Sequence, residues 1–154
     1  MKLATIGYEG CSADNIFNTL LNNHIETLID IRELPLSRKP GFSKGALARQ
    51  AVIFEIQYIH IGILGCPREI RHSYRRDGNW EKYTQLYLEY LSDQDSEIEK
   101  LLNIITAKVS CLLCFEANPY RCHRSYVANA VTQIAKTDFA IIHLEATKKP
   151  PVWQ

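Results

Sequence analysis

Residues 109–124 read VSCLLCFEANPYRCHR and contain the pattern that decides the fold. Residues 109–116 form a nearly continuous apolar run, which is typical of a strand buried on both faces of a sheet. Asn118 and Pro119 then supply a cap and a first helical residue, so a helix is expected to follow directly. A buried strand that leads into a helix is the repeating unit of a parallel α/β sheet.

The same alternation of apolar runs and helical spacing extends along the rest of the chain. Predicted strands cover residues 3–6, 26–31, 57–61, 109–116 and 138–144. Predicted helices follow the cap residues Ser12 and Ser43, cover residues 80–91 and 93–108, and end with the helix that starts at Asn118.

Residues 62–79 are the exception, because three glycines and a proline interrupt them, and we predict a long irregular stretch there.

Strands that alternate with helices indicate a parallel sheet covered on both faces. We therefore predict one α/β domain over residues 1–146, followed by a C-terminal tail over residues 147–154. The predicted architecture is a three-layer, Rossmann-like fold with a mostly parallel five-stranded sheet.

Composition excludes several classes of protein. The chain has 154 residues, of which 46% are apolar and 23% are charged, as in an ordinary globular domain. No stretch approaches 18 apolar residues, and residues 1–7 lack the pattern of a secretion signal, so we expect no membrane span and no membrane partner. Five cysteines in a chain of this size are expected to be reduced thiols of a cytoplasmic protein.

The net charge of +1 hides an uneven distribution. Residues 32–44 and 68–76 each carry a net +3 and residues 121–124 carry +2, so these segments hold +8 and the rest of the chain −7. Loops that follow parallel strands meet at the carboxyl edge of the sheet, where ligands bind in such folds. Because a cleft lined by cations attracts anions, we predict a focused anion site there. The alternative is that these arginines are ordinary solvated residues.

Arg121, His123 and Arg124 fall in the first turns of the helix predicted after Asn118. Cations at this end oppose the helix dipole, which suggests a purpose other than stability. Free N–H groups together with Arg and His favour a phosphate or carboxylate ligand. The alternative is that internal acids pair with these cations, and both interpretations can hold together.

The cysteines raise the question of a metal site. Cys111, Cys114, Cys122 and His123 look like a zinc set, but side chains three apart on a strand point to opposite faces, and adjacent residues pair poorly on a helix. We therefore expect no metal site of this composition and no cofactor. Cys114 shares a strand face with Glu116, so it is a candidate nucleophile, although a buried structural thiol is the simpler interpretation.

Aromatic residues recur at helical spacing in the helix predicted over residues 80–91, at Trp80, Tyr83, Tyr87 and Tyr90. Such a stripe is typical of core packing. The alternative is a surface on which bases stack.

Short motifs follow the predicted strands: TIGY at residues 5–8, DIR at 30–32, a loop from Pro35 through FSK at 42–44, LG at 64–65, Tyr83, and CFE at 114–116 followed by Pro119 and CHR at 122–124. Through these motifs the chain resembles the domain of unknown function 488 family over nearly its whole length. It departs at Tyr8, where members often have His, and at Cys66, where a second glycine is common. The resemblance implies a cytosolic single-domain α/β fold without an established activity, and it supports a shared site at the carboxyl edge.

The site residues follow from these observations. Glu116, His123 and Asp30 are predicted to transfer protons, and Cys114 is the candidate nucleophile. The predicted ligand-binding residues are Tyr8, Arg32, Arg38, Arg121, Cys122, Arg124 and Tyr83.

The leading functional hypothesis is an enzyme, a hydrolase or a transferase, that acts on a phosphate-bearing or other anionic ligand such as a nucleotide or a nucleic-acid end. One alternative is a non-catalytic nucleic-acid or ligand-binding module. A second alternative is a thiol-based redox-responsive protein that uses Cys114 and Cys122. The expected partner is an anionic small molecule or a nucleic-acid end, and a homodimer stays open.

Overall fold

Five parallel strands form one sheet in the computed structural model, which describes residues 1–146. The strands are β1 Lys2–Gly7, β2 Thr27–Asp30, β3 Gln57–His60, β4 Ser110–Cys114 and β5 Ala140–Leu144. Their spatial order is β3-β2-β4-β1-β5, and every neighbouring pair is parallel. The predicted α/β class and five-stranded sheet are confirmed, and the sheet is wholly parallel. The predicted tail over residues 147–154 lies outside the described residues.

Six α-helices cover the two faces of this sheet. They are α1 Ala13–Asn22, α2 Lys44–Ile53, α3 Arg68–Asp77, α4 Trp80–Ser92, α5 Asp95–Ala107 and α6 Arg124–Ile134. The predicted caps are confirmed, because the hydroxyl of Ser12 accepts the N–H of Asn15 and the hydroxyl of Ser43 accepts the N–H of Ala46. Within residues 1–146, every helix lacks the length and hydropathy needed to cross a bilayer.

The central strand β4 explains how the two layers form. Cys111 and Leu113 point into a core that α1 and α2 cover, whereas Leu112 points into the core beneath α4, α5 and α6. Successive side chains of a strand alternate between faces, so an uninterrupted apolar run buries both. The tyrosine stripe joins the second core, since Tyr83 and Tyr87 are buried.

Two local predictions were wrong. Residues 62–79 are not irregular: they contain a 3₁₀ turn at Gly62–Leu64 and the helix α3. No side chain of α3 is buried, so it lacks the apolar periodicity that identifies a helix in sequence.

The helix predicted to begin at Asn118 begins at Arg124 instead. The Asn118 side chain caps only a 3₁₀ turn, Pro119–Arg121, and Cys122 is extended. Arg121 therefore lies before α6 rather than in its first turn. Only His123 and Arg124 lie at the N-terminus of α6, so the prediction that all three cations fall in its first turns was wrong.

Candidate functional site

A pocket of about 510 Å³ opens at the carboxyl edge of the sheet. Residues after β1, β2, β3 and β4 line it, because the loops that follow parallel strands all leave from this edge. Its cationic side chains are Arg32, Arg38, Arg71, Arg75 and Arg121, and its aromatic side chains are Tyr8, Tyr74, Trp80, Tyr83 and Phe115. The three positively charged segments of the sequence thus contribute to one pocket.

Arg32 lies at the β2 side of this pocket and is held by a buried carboxylate. Its Nη2 and Nε donate to Asp30 Oδ2 and Oδ1 over 2.7 and 2.9 Å, and its Nη1 donates to the Phe42 carbonyl and to the Tyr8 hydroxyl. Burial lowers the pKa of Arg32, but the hydrogen bonds and negative charge of Asp30 outweigh it and raise the pKa overall. Arg32 is therefore a rigid, fixed cation.

Asp30 does not line the pocket, although it was predicted to transfer protons. It is fully buried, and its Oδ2 also accepts the Tyr58 hydroxyl, so both carboxylate oxygens have partners inside the protein. Its geometry is that of a group that positions Arg32.

Gly65 allows the backbone after β3 to approach the backbone of Arg32 and Glu33 closely. A Cβ at Gly65 would overlap the Glu33 backbone, so no other residue fits without a shift. Glu33 in turn accepts a hydrogen bond from Arg71 Nη2 over 3.0 Å. Arg71 is therefore already paired with an acid inside the pocket wall.

Arg124 lies on the β4 side, outside the pocket lining, and is completely buried. Its guanidinium donates to the Thr5 hydroxyl, to Cys114 Sγ over 3.1 Å, and to the carbonyls of Glu116 and Ala117. Among residues 1–146 no carboxylate forms a salt bridge with it. Burial lowers its pKa, opposed by the thiol of Cys111 and the carboxyl of Glu116. All three guanidinium nitrogens have internal acceptors. The role of Arg124 in binding a ligand anion stays a prediction.

Gly7 provides the room for this arrangement. A Cβ on Gly7 would overlap the Glu116 carbonyl and would lie 2.9 Å from Arg124 Nη1. The glycine of the TIGY motif is therefore needed because the backbone after β4 crosses directly over it.

Cys114 and Cys122 come together behind the pocket. Their Sγ atoms lie within disulfide-bonding distance of each other, while their Cα atoms are 7.7 Å apart. The backbone N–H of Arg124 points at Cys122 Sγ over 3.5 Å, so one residue donates to both sulfurs. Cys11, Cys66 and Cys111 are buried free thiols.

His123 lines the pocket and connects its two sides. Its Nε2 lies 2.8 Å from the Ile31 carbonyl, which can only accept, so Nε2 carries the proton. Its Nδ1 lies 3.8 Å from Cys122 Sγ. Burial lowers the pKa of His123 to about 4, helped by the charges of Arg124 and Arg71. The imidazole is therefore neutral at physiological pH.

Glu116 is the acid of the pocket that no cation pairs within residues 1–146. It is half-buried, and burial raises the pKa of its carboxyl above the ordinary value. A raised pKa brings a carboxyl closer to the range in which it can both give and take a proton near neutral pH. Glu116 therefore lines the pocket, and its predicted role as an acid or base stays a prediction.

Three pocket arginines are exposed and have no salt bridge with any described residue: Arg38, Arg75 and Arg121. The Arg121 guanidinium lies 5.6 Å from the Trp80 ring centroid, and that ring stacks on Tyr83 at 4.6 Å. Free cations beside an aromatic wall can bind a ligand that carries both a phosphate and a base.

Sequence reasoning missed part of this wall, namely Arg75, Tyr74 and Phe115. The spacing of Arg71, Tyr74 and Arg75 is i, i+3, i+4, which places them on one face of α3. That polar spacing was a usable signal, although the absence of apolar residues concealed the helix.

Fold and site together define a parallel α/β protein with a cationic and aromatic pocket at the carboxyl edge of its sheet. The model of the family described as Domain of unknown function DUF488 matches residues 12–131. The chain belongs to this family, as its motifs predicted. Comparisons with curated proteins and with solved structures found no match to the chain.

Proposed function

We propose that this protein is an enzyme, a hydrolase or a transferase, that acts on a phosphate-bearing ligand such as a nucleotide or a nucleic-acid end. The observation that carries the proposal is the pocket itself, in which unpaired arginines stand beside stacked aromatic rings and one unpaired carboxyl. Anionic ligands of this kind match both the charge and the aromatic wall.

In this proposal Arg38, Arg75 and Arg121 bind the phosphate, because their charges have no internal partner. Trp80, which stacks on the buried Tyr83, provides the face on which a base stacks. The buried Arg32 shapes the pocket wall, and Arg124, which lies outside the lining, adds positive potential; both keep their internal hydrogen bonds.

The chemical step is assigned to Glu116. A half-buried carboxyl with a raised pKa can accept a proton from an attacking water or hydroxyl and return it to the leaving oxygen. Both ring nitrogens of His123 have internal partners, Nε2 the Ile31 carbonyl and Nδ1 the Cys122 sulfur at 3.8 Å, so His123 shapes the pocket wall.

Binding is tested first, with a nucleoside monophosphate and its parent nucleoside in calorimetric titrations at low salt. We expect the phosphate to strengthen binding and Arg121→Ala to weaken it roughly tenfold, the equivalent of about 1.4 kcal/mol. Arg49→Ala is the matched control, because Arg49 is exposed on α2 and does not line the pocket. Equal affinity for the nucleoside and its monophosphate, or equal losses in the two variants, would remove the basis of the proposal.

Turnover is tested next, by release of phosphate or base from nucleotides and short oligonucleotides. Glu116→Gln should reduce turnover about 100- to 10,000-fold while binding persists, as for the loss of a general acid or base. Binding without turnover in the unmodified protein would instead favour the non-catalytic binding module. Cytoplasmic location and a homodimer remain predictions from the sequence.

A further inference from the structure

We infer that Cys114, Cys122 and Glu116 form a binding site for a thiolate-preferring divalent metal ion such as Zn²⁺. Their candidate ligand atoms all lie within 4.8 Å of one another. The three side chains come from the end of β4, the loop after it and the residue before His123, and the turn between β4 and α6 brings them together within nine residues of the chain. The metal site shares Glu116 with the proposed nucleotide pocket, but metal binding can occur whether or not the pocket binds a nucleotide.

The separation of the two cysteine backbones favours a metal over a direct sulfur–sulfur bond. Cα atoms of disulfide-linked residues usually lie about 4.4–6.8 Å apart. The Cα atoms of Cys114 and Cys122 are 7.7 Å apart. Two sulfur ligands of one tetrahedral zinc ion, each about 2.3 Å from the metal, lie roughly 3.8 Å apart. An ion therefore requires the two Sγ atoms, which are in contact here, to move apart, and the widely spaced backbones allow that movement.

When Cys114 and Cys122 are reduced, their surroundings favour the negatively charged thiolate form. Arg124 is fully buried without a carboxylate partner among residues 1–146, and a buried cation requires a nearby negative charge. Its Nη1 donates to Cys114 Sγ and its backbone N–H points at Cys122 Sγ. Thiolates are the metal-binding form of cysteine, and hydrogen bonds from outside the ligand set orient such ligands.

Charge also balances with a divalent ion. Two thiolates and one carboxylate carry three negative charges, and Arg124 with a divalent cation carries three positive charges. Sulfur ligands select zinc over the harder magnesium and calcium ions. Three protein ligands leave one position of a tetrahedral ion for water or a ligand, which is the composition of catalytic zinc sites.

This set differs from the zinc set that the sequence suggested and that was expected not to form. Cys111 points into the core on the opposite face of β4, and His123 Nε2 is engaged by Ile31. Glu116 takes their place. A carboxylate that binds metal through one oxygen keeps the other for proton transfer, so its proposed role in the pocket is compatible with the metal site.

The test uses the reduced, metal-free full chain titrated with Co²⁺ as a spectroscopic probe and then with competing Zn²⁺. We expect one equivalent of Co²⁺ to give a sulfur-to-metal charge-transfer band, with affinity that rises with pH because binding releases thiol protons. Cys122→Ser should weaken binding more than about 100-fold, beyond the roughly 10- to 100-fold effect of changes outside the ligand set. Cys11→Ala is the control, a buried free thiol outside the cluster.

A second measurement avoids dependence on the folding of any variant. In the unmodified protein, Zn²⁺ should slow alkylation of Cys114 and Cys122 relative to the other three thiols, as read by mass spectrometry. The inference is overturned if Co²⁺ gives no thiolate band, if Cys122→Ser binds as tightly as Cys11→Ala, or if Zn²⁺ protects neither thiol. It is also overturned if the two cysteines form a disulfide that excludes metal, which would favour the redox-responsive protein instead.

Discussion

Two buried arginines support the two sides of the pocket, and they are neutralised in different ways. Arg32 on the β2 side has a two-point salt bridge to Asp30, whereas Arg124 on the β4 side has a hydroxyl, two carbonyls and a cysteine sulfur. A glycine stands beside each: Gly65 against the segment of Arg32, and Gly7 against Arg124. Both arginines are therefore buried by similar close packing, but Arg32 has a carboxylate partner and Arg124 has none among the described residues.

The difference indicates which side is complete. A buried charge is tolerated when an opposite charge and hydrogen bonds compensate it, and the β2 side has both. The β4 side supplies hydrogen bonds but no carboxylate contact to Arg124, and its two candidate anions are thiols that metal binding would ionise. The β2 side thus resembles a permanent support, and the β4 side is the place where a ligand adds what is missing.

The largest expected effect comes from breaking the complete side. Asp30→Ala leaves Arg32 buried without its partner, which should lower the free energy of unfolding by about 3–5 kcal/mol in urea denaturation. Glu97→Ala, which removes an exposed ion pair with Lys100, should cost under ~1 kcal/mol. Similar losses in the two variants would contradict the assignment of Asp30 as an essential support.

A smaller effect is expected at His123, which joins the two sides through the Ile31 carbonyl. Its pKa in the folded protein, about 4, lies below the ordinary 6.5, so the unfolded chain takes up the proton first on acidification. The stability due to neutral His123 is present above about pH 6.5 and is lost as the pH falls toward 4, by ~3 kcal/mol in total. His123→Gln keeps an N–H for Ile31 but cannot ionise. The difference in unfolding free energy between the two proteins should change across this range, and a constant difference would refute the prediction.

The smallest effect is expected on the incomplete side. In the reduced, metal-free protein, Arg124→Met removes the cation itself, so it strands neutral acceptors rather than a charge. We expect a loss of about 1–3 kcal/mol in the free energy of unfolding, the cost of unsatisfied buried hydrogen-bonding groups. If Arg124→Met costs as much as Asp30→Ala in the same denaturation experiment, the contrast between the two arginines is wrong.

Much of the fold could be predicted because its signals are local. Continuous apolar runs such as residues 110–114 identify strands buried on both faces, and Ser12 and Ser43 identify helix starts. The helix α3 was not predicted, because it buries no side chain and apolar periodicity comes from buried side chains. The start of α6 was misplaced because an Asn-Pro pair serves a 3₁₀ turn as readily as an α-helix.

The location of the site could be predicted from the sequence, but which of its arginines are free and which are held by internal partners could not. Parallel topology alone brings the loops bearing Arg32, Arg75 and Arg121 to one edge, so their common pocket follows from strand order. Which arginine is free depends on partners distant in the chain, such as Thr5 for Arg124, 119 residues away. Spacing in sequence does not encode those contacts.

The alternating strands and helices, the parallel sheet and the concentration of positive charge at its carboxyl edge could all be predicted from the sequence. Each of these depends on residues near one another in the chain. The three-dimensional packing was needed to show that Arg32 and Arg124 are buried supports, that Arg121 faces the pocket beside Trp80, and that Cys122 lies against Cys114. Side-chain pairing depends on the packed geometry of separate elements, because a residue is satisfied by whichever group the fold brings within a few ångströms of it.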